Sequence, residues 1–307
     1  MKIVFMGTPD FAVPCLKALC ENGYDVPAVF TQPDKPKGRG YKMIPTPVKV
    51  CAQENEIAVY QPLSLRKGED ADEALKVLGE IAPDLIIVVA YGQILPQSVL
   101  DLPKYGCINI HASLLPEYRG AAPIQWSVLD GKTETGVTSM KMELGLDTGD
   151  MLIKKSLSIG ENETASELHD RLSVLGAEVL IETIKAVENG TLKAEKQDDE
   201  KSSYAKMITK DMSRLDFNES AQTVHNIIRG ITGFTMLEGK RLKVYRSEIC
   251  GETSAAAGTV VNPADFTVAC GDGRCVKFTE VQYEGSKRMM AADFLRGRKL
   301  SEGMMLG

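Results

Sequence analysis

Residues 85–90 read Leu-Ile-Ile-Val-Val-Ala, six apolar positions in a row with no alternation. A strand that meets water on one face alternates apolar and polar residues. A continuous run needs cover on both faces, and so belongs in a parallel sheet flanked by helices. The surrounding pattern agrees. Residues 2–6, 26–31, 84–90, 107–111, 137–142 and 151–159 are strand-like, and 11–21, 46–54 and 70–81 are helix-like. Strands alternating with helices predict an α/β class with an open, mostly parallel, Rossmann-like sheet. In such a sheet ligands bind in the crevice beyond the carboxyl ends of the strands.

At 307 residues the chain exceeds what one hydrophobic core usually organises, which favours two domains. Thr164-Ala-Ser-Glu167 has the form of a capping box. The helix it starts carries Leu168, Leu172, Leu175 and Val179 at three- and four-residue spacing and stops at Asn189-Gly190. Residues 191–203 are polar and unpatterned, as expected of a linker. Beyond Tyr204 a short helix over 220–229 gives way to strands at 241–249, 259–262, 266–269 and 275–281. Asn262-Pro-Ala-Asp265 and Gly271-Asp-Gly273 are turns between them. The expected organisation is a first domain over 1–190, a linker over 191–203 and a small β-barrel over 204–307.

Hydrophobic residues make up 43% and charged residues 25%, an ordinary globular composition. No apolar run approaches the roughly 20 residues that span a bilayer. Met1-Lys2-Ile3 enters a strand without the layout of a signal peptide, so a cytoplasmic protein with no membrane partner is expected. The seven cysteines, odd in number and without a Cys-x-x-Cys pair, are expected to be reduced and mostly buried. Cys270 and Cys275 lack the His or Cys partners of a zinc site. A net charge of −6 argues against a protein that coats nucleic acid, but the balance is uneven. Residues 203–307 hold 15 Lys and Arg against 12 Asp and Glu, whereas residues 1–202 hold 21 against 30. A mildly basic second domain can meet a polyanion while the first stays acidic.

Residues 107–120 concentrate the chemistry. Asn109 and His111 lie two apart at the end of a strand, so their side chains share a face where strand gives way to loop. Ser113-Leu114-Leu115-Pro116 then forms a short wall. Asp147 sits in the glycine-flanked turn Gly145-Leu-Asp-Thr-Gly-Asp150. An Asn, a His and an Asp around one crevice suit acyl transfer to an amine, although Asp147 taken alone reads equally well as a turn residue. His169 and His225 fall on patterned helices and read as structural. Gly7-Thr8-Pro9 lacks the Gly-x-Gly-x-x-Gly pattern, and Pro9 removes a backbone donor, which argues against a dinucleotide site. No phosphate-binding P-loop or metal-ligand cluster occurs. Residues 31–47 carry Lys35, Lys37, Arg39 and Lys42 in a Gly- and Pro-rich loop, either a solvated surface or a phosphate contact.

His111-Ala-Ser113-Leu114-Leu115-Pro116 followed by Gly120 resembles the signature of the folate-dependent formyltransferases. Lys2-Ile-Val-Phe-Met-Gly7-Thr-Pro-Asp-Phe-Ala-Val-Pro14 and Ala90-Tyr91-Gly92-Gln93-Ile94-Leu95-Pro96 are similar to the same family, and the likeness runs from Met1 to about Leu300. The resemblance implies an OB-like form for the second domain. It implies 10-formyltetrahydrofolate as co-substrate, no metal, and the α-amine of methionyl initiator tRNA as acceptor. Asn109, His111 and Asp147 become the catalytic set, the first two bonding to a tetrahedral oxyanion and Asp147 orienting His111 and helping to remove the amine proton. Tyr91, Gly92, Ile94 and Leu95, with Ser113, Leu114, Leu115 and Pro116, are implied around the folate. Lys35, Lys37, Arg39 and Lys42 are implied against the tRNA acceptor arm. Two features depart from many relatives: Ile228-Arg-Gly-Ile-Thr-Gly-Phe-Thr235 replaces an Asn-Pro-Trp-Pro-Gly segment, and Phe217 stands where a Trp is usual. Two other readings stay open: a formyltransferase for a small amine such as glycinamide ribonucleotide or an amino sugar, and a non-catalytic folate- or RNA-binding module. A monomer is expected.

Overall fold

A computed structural model describes residues 1–37 and 42–307. The chain forms two compact units that interleave along the sequence. The first comprises Met1–Gly120, Gly136–Leu157 and His169–Tyr204, and the second Ala121–Thr135, Ser158–Leu168 and Ala205–Gly307.

The first unit is built on a seven-stranded sheet in the order Met151–Ser158, Glu134–Lys141, Cys107–His111, Leu85–Val89, Lys2–Gly7, Asp25–Phe30, Ala58–Tyr60. Leu85–Val89 lies in the middle with every residue buried, as its unbroken apolar run requires. It pairs in parallel with Lys2–Gly7 on one side and Cys107–His111 on the other. Glu134–Lys141 joins antiparallel to Cys107–His111. The chain progresses outward from Lys2–Gly7 in one direction, then returns to its other side at Leu85–Val89. That reversal is the topological switch point at which open α/β sheets bind ligands. Phe30, Ile86 and Val4 from the sheet pack with Leu78 and Ala74 from the helix Glu69–Ile81, each wholly or almost wholly buried. Each large apolar side chain so removed from water stabilises the fold by about 1.5–3 kcal/mol.

The expected elements occur within a few residues of their expected limits. The capping box forms: Thr164 N donates to Glu167 at 3.0 Å and Glu167 N to Thr164 Oγ1 at 3.3 Å, opening the helix Ala165–Glu188. Gly190, at φ +64°, closes its other end. Residues 191–203, read as a linker, are instead tied down in the first unit. Glu195 and Met151 exchange two backbone hydrogen bonds of 2.8 Å, and Gln197 is buried. Backbone groups and polar side chains such as Gln197 hold this segment, so no apolar periodicity marks it. The basic loop also has more order than its composition suggests. Lys35–Lys37 pairs antiparallel with Lys42–Ile44, above a base closed by Thr31 Oγ1 and Thr46 Oγ1 at 2.8 Å and by Lys49 to Asp34 at 2.7 Å.

The second unit is the small antiparallel β structure that its short strands and turns imply. Gly233–Leu237, Lys240–Glu252, Arg274–Tyr283, Thr267–Ala269 and Val260–Asn262 are neighbours in that order. Register shifts along Lys240–Glu252 bend the sheet over a core containing Phe217, Phe266 and Phe278. Phe217 is therefore a core residue, packed 6.3 Å from Phe278 between ring centroids. The departing segment ends the helix Ala221–Ile231 and starts the strand Gly233–Leu237. A Cβ at Gly233 would come 2.5 Å from the Leu215 Cδ2 methyl, so any other residue there requires the buried Leu215 side chain to shift.

All seven cysteines are free and five are buried. Burial pushes the thiols of Cys15, Cys107 and Cys270 up to about 12. No helix among the described residues is long and apolar enough to cross a membrane.

His225 is buried, with Nδ1 2.9 Å from Ser247 Oγ and Nε2 3.1 Å from the Glu161 carbonyl. Burial, reinforced by the charge of Arg229, depresses its pKa below the usual 6.5. The unfolded chain then binds a proton in a range where the folded chain does not. The contribution of His225 to stability is fully present above about pH 6.5 and is lost as pH falls toward the depressed folded value. Urea unfolding followed through the single Trp126, which lies in the same unit, should lose stability more steeply between pH 7.5 and 5.5 in the wild type than in His225→Gln. Equal slopes would contradict this.

Candidate active site

Three loops leave the carboxyl ends of the strands at the switch point. They follow Gly7, Val89 and His111, and the first two are joined where Thr8 Oγ1 donates to the Tyr91 carbonyl at 2.8 Å. Left-handed backbone gathers here: Ala90 (φ +47°), Tyr118 (φ +59°) and Asp147 (φ +53°) are three of the non-glycine residues with positive φ. Such conformations cost roughly 1–3 kcal/mol each and persist where the surroundings impose them, as at ligand sites.

Asn109 and His111 share a face of their strand, as their spacing requires. The Asn109 side chain is half-buried and has no hydrogen-bond partner among the described residues. His111 is buried, with Nε2 2.9 Å from the Tyr118 carbonyl oxygen and Nδ1 3.7 Å from Asp147 Oδ2. A carbonyl only accepts, so Nε2 carries the hydrogen. The neutral ring then presents an unprotonated Nδ1 toward Asp147. At 3.7 Å the Asp147 carboxylate is too far from Nδ1 for a direct hydrogen bond. Asp147 Oδ2 accepts from Gly120 N at 2.8 Å. The structure therefore sets His111 beside Asp147, with Asn109 on the same face of the strand; a neutral His111 has no second N–H to donate, and only a protonated ring can donate from Nδ1.

The residues implied around the folate separate by exposure. Tyr91, Leu95, Ser113 and Leu115 are buried, while Gly92 and Ile94 are exposed and Leu114 and Pro116 are partly so. Ser113 Oγ donates to the Glu117 carbonyl at 2.6 Å, and Leu115 packs on Met140 and Met151. Of these eight residues, Gly92, Ile94, Leu114 and Pro116 keep accessible surface. Of the basic residues, Lys35 is exposed on its short strand, while Lys37 and Lys42 are placed as a paired register position. Arg39 lies outside the described residues. No group of three or more His, Cys, Asp or Glu that could hold a metal ion occurs among the described residues.

Two groups at the site have no signature in sequence, because they are backbone atoms: the Tyr118 carbonyl and the Gly120 amide. Thr138 is a further site residue that the sequence reading does not include. It stands opposite His111 in register, donates to the Ser113 carbonyl at 2.7 Å and accepts from Leu115 N at 3.1 Å, fixing the wall loop. Its place on a strand next to the motif is the signal that could reveal it.

The family model described as formyl transferase matches residues 1–184, and that of the formyl transferase C-terminal domain matches residues 207–299. The chain belongs to the formyl transferase family. Within it, a methionyl-tRNA formyltransferase of Geobacter metallireducens is 51% identical over 312 residues, covering 100% of this chain and 99% of that protein. A methionyl-tRNA formyltransferase of Clostridium novyi is 49% identical, covering 98% of each. The solved N-formyltransferase from Helicobacter canadensis, in complex with folinic acid and dTDP-3-aminofucose, shares the fold. Its TM-score is 0.68 at 21% identity, over 92% of this chain and 99% of that one.

Proposed function

We propose that this chain transfers the formyl group of 10-formyltetrahydrofolate to the α-amine of methionyl initiator tRNA, as a monomer in the cytoplasm. The observation that carries the reading is the cluster of Asn109, His111 and Asp147 at the switch point, with an unprotonated Nδ1 facing a carboxylate. Relatives about 50% identical over their full length bear that activity in their names.

The chemistry follows from the atoms. The neutral amine attacks the formyl carbon, a C–N bond forms, and the carbonyl oxygen becomes an oxyanion. The unpartnered Asn109 amide donates to it, a contribution of about 3 kcal/mol per donor in comparable sites. His111 Nδ1 takes the proton lost by the attacking nitrogen. The imidazolium is stabilised by Asp147 and can itself donate toward the oxyanion. The proton then passes to N10 of the folate as the bond from N10 to the formyl carbon breaks. The formylated amine and tetrahydrofolate are the products, with no redox change.

The Lys35–Lys37 and Lys42–Ile44 ribbon, fixed at its base, favours tRNA over a small amine, since a small acceptor needs no cationic arm. In the second unit Arg241 and Lys243 are exposed on one face of their strand while Leu242 and Val244 are buried, which offers further phosphate contacts.

The direct test is formyl transfer to charged initiator tRNA compared with glycinamide ribonucleotide. The tRNA should be the better acceptor by orders of magnitude; preference for the ribonucleotide would overturn the reading. In the same assay Asn109→Ala, His111→Ala and Asp147→Ala should each lower turnover by about 10²-fold or more. Wild-type turnover in His111→Ala would sink the mechanism.

Neutralising Lys35, Lys37, Arg39 and Lys42 together should weaken tRNA use. It should also flatten the salt dependence by roughly 0.7–0.9 in log–log slope for each phosphate no longer neutralised. Folate affinity should stay within twofold. A parallel fall in folate affinity would place the ribbon at the folate instead.

A further inference from the structure

We infer that Gln197 is a positioning residue that holds the Asp147 carboxylate opposite His111; the inference rests on the catalytic role proposed for Asp147. Gln197 lies in the segment whose composition suggested a linker, yet it is only 6% exposed. Its amide nitrogen donates to the Asp147 carbonyl at 2.8 Å and to the Gly149 carbonyl at 2.7 Å. Its Oε1 accepts from Arg119 Nε at 2.9 Å. Both amide hydrogens and the oxygen are thus engaged, as a buried amide requires.

These hydrogen bonds close a ring. Arg119 is covalently followed by Gly120, and Gly120 N is the donor to Asp147 Oδ2. Gln197 therefore ties the backbone of the Asp147 turn to the same peptide that receives the Asp147 side chain. The turn needs such a tie. Asp147 is left-handed at φ +53°, and a Cβ at Gly149 would fall 1.8 Å from the Lys141 carbonyl oxygen, so the chain passes too close there for any other residue. The base of the turn is closed by Lys141 N to the Asp150 carbonyl at 2.9 Å, and Gln197 closes its tip. Rotation of the Asp147–Thr148–Gly149 backbone, which those two carbonyl bonds prevent, would carry the carboxylate away from both Gly120 N and His111 Nδ1.

The same segment braces the other side of the site. Ser203 Oγ accepts from Tyr118 N at 2.8 Å, and the Ser203 carbonyl accepts from Arg119 N at 2.9 Å. The Tyr118 carbonyl is the acceptor that orients His111. Residues 197–203 thus hold the Asp147 turn and the Tyr118 backbone that accepts from His111. A chain cut near Glu200 loses Ser203 and should lose part of its catalytic geometry along with the second unit.

Gln197→Leu keeps the bulk and removes every one of these hydrogen bonds. Displacing a reacting group by about 1 Å costs on the order of 10²-fold in rate. We expect kcat for formyl transfer to fall about 10²-fold, with folate Kd and the KM for charged tRNA within twofold of wild type. The informative comparison is in the Asp147→Ala background, where adding Gln197→Leu should change kcat by less than twofold, because the residue acts through Asp147. If Gln197→Leu does not fold, Gln197→Asn, one methylene too short to reach both carbonyls, serves the same comparison. Wild-type kcat in the Gln197 variant overturns the inference, as does an equal loss in both backgrounds, which would mean a general structural role. Wild-type turnover in Asp147→Ala alone would instead remove the catalytic assignment on which the inference rests.

Discussion

A backbone carbonyl can accept a hydrogen bond but never donate one, so the 2.9 Å approach of His111 Nε2 to the Tyr118 oxygen leaves the neutral imidazole a single tautomer. The nitrogen that remains free, Nδ1, is the one turned toward Asp147. In the mechanism we propose, this gives the reaction's proton to His111 and the oxyanion first to Asn109. It also explains the concentration of left-handed backbone at the site, because the carbonyl that receives Nε2 belongs to Tyr118, held at φ +59°. The strain at Tyr118 and Asp147 is retained where it orients one acceptor and one carboxylate around one imidazole.

The sheet supplies the rigid frame for this arrangement. The wholly buried central strand and its parallel neighbours put the ends of Lys2–Gly7, Leu85–Val89 and Cys107–His111 side by side. The change to an antiparallel partner at Glu134–Lys141 brings Thr138 opposite His111 and leads the chain into the Asp147 turn. One strand thus fixes the wall loop through Thr138 and delivers the carboxylate a few residues later.

Much of this is legible in the sequence, for physical reasons that differ from residue to residue. The run Leu85–Val89 announces a doubly covered strand, and the two-residue spacing of Asn109 and His111 sets their common face, because both signals are properties of the chain's own periodicity. The capping box at Thr164 and Glu167 is local chemistry and forms as its spacing requires. What sequence does not reveal is carried by groups remote along the chain or by atoms every residue has. Gln197 sits 50 positions from Asp147 in a polar stretch without pattern, and the Tyr118 carbonyl and Gly120 amide have no side-chain identity at all. Asp147 is ambiguous for the same reason: an Asp between glycines turns a chain equally well whether or not a histidine waits 3.7 Å away.

The basic ribbon and the small β unit show the complementary limit. Composition reveals the cations of residues 35–42 and the surplus of Lys and Arg beyond residue 203, but not that Thr31, Thr46, Asp34 and Lys49 fasten the base of the ribbon. The most direct measurement of the central claim is the tautomer of His111, read from the nitrogen-15 resonances of its ring above its titration and assigned by difference from His111→Gln. The spectra should show a protonated Nε2 and an unprotonated Nδ1. A hydrogen on Nδ1 with Nε2 bare would contradict the assignment of His111 as the proton acceptor.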